Sequence, residues 1–478
     1  MKRYTQALAA LLLLTAGCSN SPTTGSTVTT TTATIANLQP YADTTGSIAT
    51  YTTAGDILES NPFFSALGSN TRSCANCHQL SQGMSISAAA ATALFNSTNG
   101  TDPLFDAVDG ANCPTATTGN AAQHSLILNN GLIRITVTLP TTAQFKLTVL
   151  SDPYGCAVTT NTSGQQVVSV YRRPLPASSL SFLSAVMWDT RETTSPLSTL
   201  ATFPANLTAD LNQQALDAIT EHEQGLSTPS AANINSILAF EQGLFTAQIT
   251  DSLAGSLSSN GATGGPAALA STNYYPGIND SLGNDPTGAK FDAASMTLYT
   301  TWHNSANAQQ ASIERGEQLF GAGIMVLTDV NGINGTVQHG SCSFCHDTPN
   351  IGNRSVAGAL DTGTAHNAAA ETDSNVIAGL AQLSVPSLPV YQITGCKVNG
   401  AAVTYTTSDP GRALFTGQCA DMNSTKVPIL RGLAARAPYF HGGSAANLAQ
   451  VVAFYNARFQ MGLTTQQQTD LVNFLNAL

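Results

Sequence analysis

Two short stretches, "SCANCHQ" and "SCSFCHDT", repeat one pattern: Cys-x-x-Cys followed at once by His. They place Cys74, Cys77 and His78 in the first part of the chain and Cys342, Cys345 and His346 in the last. On one helical turn, two thiols at this spacing reach the two vinyl groups of a porphyrin, and the next residue turns its imidazole beneath the iron. Two covalently bound c-type haems are therefore expected, with His78 and His346 as iron ligands. A four-thiolate zinc site would explain the cysteines but not the two histidines. Two redox disulfides would leave the histidines unexplained as well. A haem is larger than any side chain, so each motif requires a pocket of its own. A chain of 478 residues is long enough for two or three cores.

Hydrophobic residues make up 42% of the chain, as in ordinary globular proteins, but charged residues only 9%. Asn, Gln, Ser, Thr and Gly must therefore cover much of the surface. The net charge of −11 gives no basis for nucleic-acid binding and suits a basic redox partner.

The N-terminus begins with Lys2 and Arg3, then the apolar run "ALAALLLLTAG" before Cys18. The run is too short for a mature membrane span and reads as an export signal over 1–17. "LTAGC" resembles a bacterial lipoprotein signal, with Thr15 where Leu is usual. Cys18 is then the lipid-bearing residue and the only membrane anchor, and the location is the periplasm or cell surface, in the outer-membrane lipoprotein pattern. Residues 18–50 are rich in Thr and Ser and read as a flexible tether. Cys113, Cys156, Cys396 and Cys419 remain. They allow three disulfide connectivities, the local pairs being the simplest.

"NLAQVVAFYNARF" carries Leu448, Val451, Val452, Tyr455 and Phe459 on one helical face. "INSILAFEQGLFTAQI" reads as a helix too, through Ile237, Leu238, Phe240, Leu244 and Phe245. Residues 130–173 alternate apolar and polar side chains around a Pro-Thr-Thr turn and predict a small β insertion.

From about residue 55 onward the chain resembles the bacterial di-haem cytochrome c peroxidase family, including its MauG-like branch. The resemblance lies in the two haem motifs, "AVMWDTRE", "RGEQLF", "SDPGRALFTG", "KVPILRGLAARAPYFHGGS" and "LAQVVAFYNARF", in the family's order. It implies a mainly α fold of two cytochrome c-like domains, 51–300 and 301–478, packed face to face with a haem each. It also implies reduction of hydrogen peroxide at the N-terminal haem, with electrons arriving through the C-terminal one from a small donor such as a cytochrome c or a cupredoxin. A MauG-like oxidase of a protein or organic substrate, and a non-catalytic electron carrier, are the alternatives.

The resemblance also implies residue roles. Trp188 matches the tryptophan that the family sets between its haems, and Asp189 and Arg191 form a local ion pair beside it. Regulated family members cap the first iron with a histidine soon after the motif. Here the segment following His78 has none, Met84 is the nearby soft side chain, and the next histidine is His124. The His78 iron is therefore expected to be open on one side. The family's distal Gln falls on Gln214, but its Glu, ten residues on, is Gln224 here, which leaves Glu223 and His222 as the candidate acid–base groups. Beyond the second haem, Tyr455 takes the MauG-like ligand position, with Met461 as the rival. Arg412, Lys426 and Arg431 suit haem propionates. A Ca2+ between the domains would use the carbonyls of Arg436 and Pro438, but an arginine of "VYRRPLP" stands where an assisting Asn is usual.

Overall fold

Each Cys-x-x-Cys stretch folds as one short helical turn. In the computed structural model, which describes residues 33–193, 202–333 and 338–478, these are Cys74–Cys77 and Cys342–Cys345. Extended Ser73 and Ser341 precede them, and the backbone N–H groups of His78 and His346 close the turns on Cys74 and Cys342. The signal segment 1–17, Cys18 and the tether up to residue 32 lie outside the described residues.

The second motif sits in a cluster built by the helices Ala308–Gly321, Leu448–Arg458 and Thr465–Asn476. Asn307 caps the first, accepting from the N–H groups of Gln309 and Gln310, and a Thr464/Gln467 capping box starts the last. Gly316 lets the first and last helices touch: a Cβ there would lie 2.1 Å from the Asp470 carbonyl oxygen. Arg315 then reaches the Asp470 carboxylate at 2.7 Å, and Phe320 packs on Phe474 beneath His346. Ala254, Leu257, Met296, Leu298 and Tyr299 belong to this same cluster, so the packing does not break at residue 300.

The first motif lies against a second cluster, formed by the helices Phe203–Glu221 and Ala231–Gln242 with Phe63, Met84 and Leu180. The expected single helix through "INSILAFEQGLFTAQI" is corrected here. It ends at Gln242, where the Gly243 N–H closes on Ala239, and Leu244–Asp251 is a strand. That strand pairs with Gly46–Thr52, and the buried Thr50 and Thr246 hydroxyls meet across the ladder at 2.9 Å. Helical spacing of apolar residues cannot reveal a partner strand so far back in the chain. The same pairing corrects the tether reading for residues 46–50. Ile48 and Ala49 are fully buried there, and shared Thr and Ser hydrogen bonds replace some of the apolar packing that the composition lacks.

The mainly α expectation is also overturned. The described residues are 31% helix and 18% strand, in six sheets. Ile133–Thr138, Val158–Thr160 and Gln166–Arg172 form one sheet within 130–173. The fourth strand, Lys146–Ser151, leaves that sheet to pair with Val390–Val398, which in turn pairs with Ala401–Thr407. The two β layers enclose Val137, Leu147, Val168, Tyr391 and Ile393 as a third cluster. β-Branched alternation predicted a β insertion at 130–173, but the helical motifs that carry the resemblance are silent about 390–407.

Cys113–Cys156 and Cys396–Cys419 are the disulfides, with Cα separations of 5.9 and 5.5 Å. Closing loops of 43 and 23 residues stabilises the fold by about 3–4 kcal/mol each on chain-entropy grounds. No helix among the described residues is long and apolar enough to cross a membrane.

Candidate functional site: two cavities joined by one tryptophan

The two Cys-x-x-Cys-His turns line separate cavities. One holds Cys74, Cys77 and His78 in about 1380 Å³ of empty space, mouth included, and the other holds Cys342, Cys345 and His346 in about 1240 Å³. The four cysteines carry no disulfide, and among the described residues no group of His, Cys, Asp and Glu is gathered to hold a bare metal ion. The geometry thus removes the four-thiolate alternative.

The two histidines are held alike. His78 Nδ1 donates to the Met84 carbonyl at 3.0 Å, and His346 Nδ1 donates to the Gly352 carbonyl, each six residues ahead. This fixes the tautomer and leaves Nε2 available to an iron. Burial holds both rings neutral, lowering His346 to about 4. Phe63 and Phe320 flank them, with ring centroids at 6.4 and 6.2 Å. Burial also pushes the thiols up: Cys77 and Cys342 to about 12, Cys345 to about 11, and Cys74 well above its usual value. Paired thiols, a neutral oriented imidazole and a large, mostly apolar wall fit a c-type haem in each cavity.

Among the described residues, only Trp188 and Lys426 line both cavities. The indole Nε1–H donates to the Arg173 carbonyl at 2.7 Å, and the ring meets His441 edge-on at 6.1 Å. The Lys426 backbone N–H donates to the Trp188 carbonyl at 2.7 Å, and its ammonium to the Ala185 carbonyl at 3.0 Å. Burial lowers this ammonium to about 7, and it meets no carboxylate among the described residues. Asp189 lies buried between Arg172, at 2.6 Å, and Arg191, at 3.0 Å.

Gln214, His222 and Glu223 all line the His78 cavity, and Gln224 does not. The helix Phe203–Glu221 carries Gln214, and the turn after it carries the other two. His222 Nδ1 meets Asp109 Oδ2 at 2.5 Å, and Asp109 also pairs with Arg72. Burial alone would raise the Asp109 carboxyl, but Arg72 and His222 outweigh it and hold the pKa below the usual value. Glu223 accepts from the Leu67 N–H at 2.8 Å and faces the Cys74 sulfur at 3.7 Å, and burial raises its pKa.

Tyr455 and Met461 both line the His346 cavity. Tyr455 stacks on Phe459 at 5.8 Å, and burial raises its phenol pKa against a hydrogen bond to Thr362. Two of the expected propionate partners lie elsewhere: Arg412 and Arg431 line neither cavity. Arg412 bonds Thr190 and faces Asp421 at 3.5 Å, and Arg431 donates to the Asn350 carbonyl at 3.0 Å. Met84 contributes its carbonyl, while its side chain is core. Both ring nitrogens of His124 bond backbone carbonyls, those of Asn120 and Phe105.

The structure adds two groups that motif reading passes over. His441 in "PYFHGGS" lines the second cavity, 3.8 Å from Asp409. Glu241 lines the first, with Oε2 buried and unpartnered. Its signal is a charge at the helical spacing of Ile234, Ile237 and Leu238. Burial pushes Glu241 up to about 8. A carboxyl raised on folding stabilises fully below its ordinary 4.5 and loses that contribution as pH rises through about 8. Glu241→Gln is expected to flatten this part of the stability–pH curve and to match or exceed the parent above pH 8. Parallel curves in urea titrations across this range would refute it.

The calcium expectation fails a fit test. The Arg436 carbonyl accepts from the Arg173 guanidinium at 2.9 Å, so a cationic side chain already occupies the place expected for the ion.

Two pockets, each lined by its own Cys-x-x-Cys-His turn and sharing one tryptophan, fit cytochrome c-like redox proteins as the class to compare. No family model matches the chain. Cytochrome-c peroxidase IdrP1 of Denitromonas iodatirespirans is 37% identical over 81 residues, 15% of this chain and 22% of that protein. Cytochrome-c peroxidase IdrP2 of the same organism is 32% identical over 146 residues, 29% of this chain and 36% of that protein. The matches thus span about a fifth to a third of those relatives. A crystal structure of a MauG-like protein associated with microbial copper homeostasis covers 68% of this chain and 79% of its own at 16% identity, with a TM-score of 0.29. At that score the superposition carries no argument. Over the matched segments the chain is similar to cytochrome-c peroxidases, which are oxidoreductases.

Proposed function

We propose that this chain is an exported di-haem c-type cytochrome that reduces hydrogen peroxide. Electrons from a small donor protein enter at the His346 cavity and pass through Trp188 to the His78 cavity. The carrying observation is that Trp188 lines both cavities. Cys74, Cys77 and His78 would hold one haem, and Cys342, Cys345 and His346 the other, with Lys426 as the propionate partner common to both. Bound haem would supply one-electron redox chemistry, and the segment after His78 offers no histidine to compete with peroxide in the first cavity. The balance is two electrons and two protons per peroxide, giving two water molecules.

The chain's own groups account for the protons. Glu241 carries one at neutral pH because burial raises it to about 8. His222, oriented by Asp109, and Glu223 line the same wall, and Gln214 can donate a hydrogen bond to a bound peroxide without itself titrating. Tyr455 is the ligand proposed for the second iron, where an anionic oxygen lowers the potential relative to a thioether.

The test uses the purified full chain. One high-spin ferric centre that binds cyanide before any reduction, and peroxide-dependent oxidation of a reduced cytochrome c, are expected. Tyr455→Phe is expected to shift the spectrum of the other centre only, while Met461→Leu leaves both unchanged. Two low-spin centres that ignore cyanide and peroxide would make the chain an electron carrier instead.

A further inference from the structure

Arg172 and Arg173 are consecutive, yet their environments are opposite. The Arg172 guanidinium is met by carboxylates, Asp189 at 2.6 Å and Asp409 at 2.7 Å. Arg173 is 5% exposed and forms no ion pair among the described residues. Its guanidinium is surrounded by backbone carbonyls instead. Nη1 donates to Gly131 at 2.6 Å and to Asn130 at 3.4 Å, and Nη2 donates to Arg436 at 2.9 Å and to Ile86. These oxygens come from three segments far apart in sequence: the start of the helix Ala88–Thr98, the turn after Ser125–Asn130, and the loop before the helix Leu448–Arg458.

Several carbonyl oxygens converging on one buried point is the donor set of a hard cation such as Ca2+. A lone guanidinium is an unusual occupant, because burying its charge without a carboxylate is costly unless every N–H finds an acceptor. The fold is shaped around it. Gly131 has φ +58°, and a Cβ there would lie 1.6 Å from Arg173 Nη1. The Arg173 backbone links the same point to both cavities: its N–H donates to the His441 carbonyl at 2.7 Å, and its carbonyl accepts from Trp188 Nε1 at 2.7 Å.

We propose that Arg173 is a built-in cation at the seam between the two cavities, fulfilling the role of a bound divalent ion and positioning Trp188, so that the protein is calcium-independent. Arg173 is a positioning residue, and the proposal stands whether or not peroxide is the substrate.

The test compares the holoprotein, Arg173→Asn and Arg173→Lys, all in a Trp302→Phe background so that emission reports Trp188 alone. The parent is expected to contain no stoichiometric calcium by elemental analysis, and its melting temperature to be unmoved by EDTA or by millimolar Ca2+. Arg173→Asn removes the charge, keeps a side-chain oxygen and empties the carbonyl cluster. It is expected to melt lower, to show altered Trp188 emission, and to recover both on addition of Ca2+ but not of K+. Arg173→Lys keeps a cation and is expected to retain the parent emission and to stay indifferent to Ca2+. Should Arg173→Asn fail to fold, refolding in Ca2+ is the measurement, and recovery only with the ion supports the proposal. Calcium in the parent with a melting point that falls in EDTA would overturn it, as would an Arg173→Asn protein, or refolding yield, indifferent to Ca2+.

Discussion

Replacing Cys74 and Cys77 together by Ser is expected to cut the covalent haem from two per chain to one, and to abolish peroxide turnover. The paired change Cys342→Ser with Cys345→Ser should also leave one haem. A serine hydroxyl matches the thiol in size but does not add to a porphyrin vinyl group, so the chemistry is removed while the helical turn remains. The consequence extends beyond activity. The two cavities are lined by largely apolar walls. Left unfilled, such walls lose contacts on one side, and the fold loses the corresponding stability. Each double variant should therefore melt in two stages or at a lower temperature. Mass spectrometry of the denatured chain with a haemochrome assay reads the haem count directly. Two covalent haems in either variant would end the assignment.

Trp188→Phe is expected to slow electron passage between the two cavities at least about tenfold, an activation change of about 1.4 kcal/mol. Phenylalanine keeps an aromatic ring but loses the indole N–H that donates to the Arg173 carbonyl at 2.7 Å. It also shortens the reach toward His441, whose ring now lies 6.1 Å away. The measurement is the rate at which the His78 centre is reduced after rapid reduction of the His346 centre. Cyanide binding at the His78 centre is the control and should stay as in the parent, because the His78 ring is held by Met84, not by Trp188. An unchanged transfer rate would show that electrons cross elsewhere, Lys426 being the other described residue common to both walls.

The parts of the site tied to covalent or ring chemistry were legible in the sequence. Cys-x-x-Cys-His has few other uses, and Trp188 sits in a stretch with its own signature. Gln214, His222 and Glu223 were also within reach, because a helix and its terminal turn carry neighbouring residues to one wall. Arg412 and Arg431 were not separable from true anion partners, since a guanidinium finds hydroxyl and carbonyl acceptors as readily as carboxylates. Glu241 was not singled out in the sequence, because only the packing of its helix shows that this position faces the cavity. The fold was read least well where strands pair over long separations. Leu244–Asp251 needs Gly46–Thr52, and Lys146–Ser151 needs Val390–Val398, and neither partner leaves a periodic trace in the other.

That last pairing bears on how the molecule is made. Lys146–Ser151 cannot complete its ladder until Val390–Val398 is available to pair with it. Contacts of such sequence separation form late and slowly. The later half of the chain thus completes a β layer begun in the earlier half, and a chain cut between the two would leave Lys146–Ser151 without its partner strand.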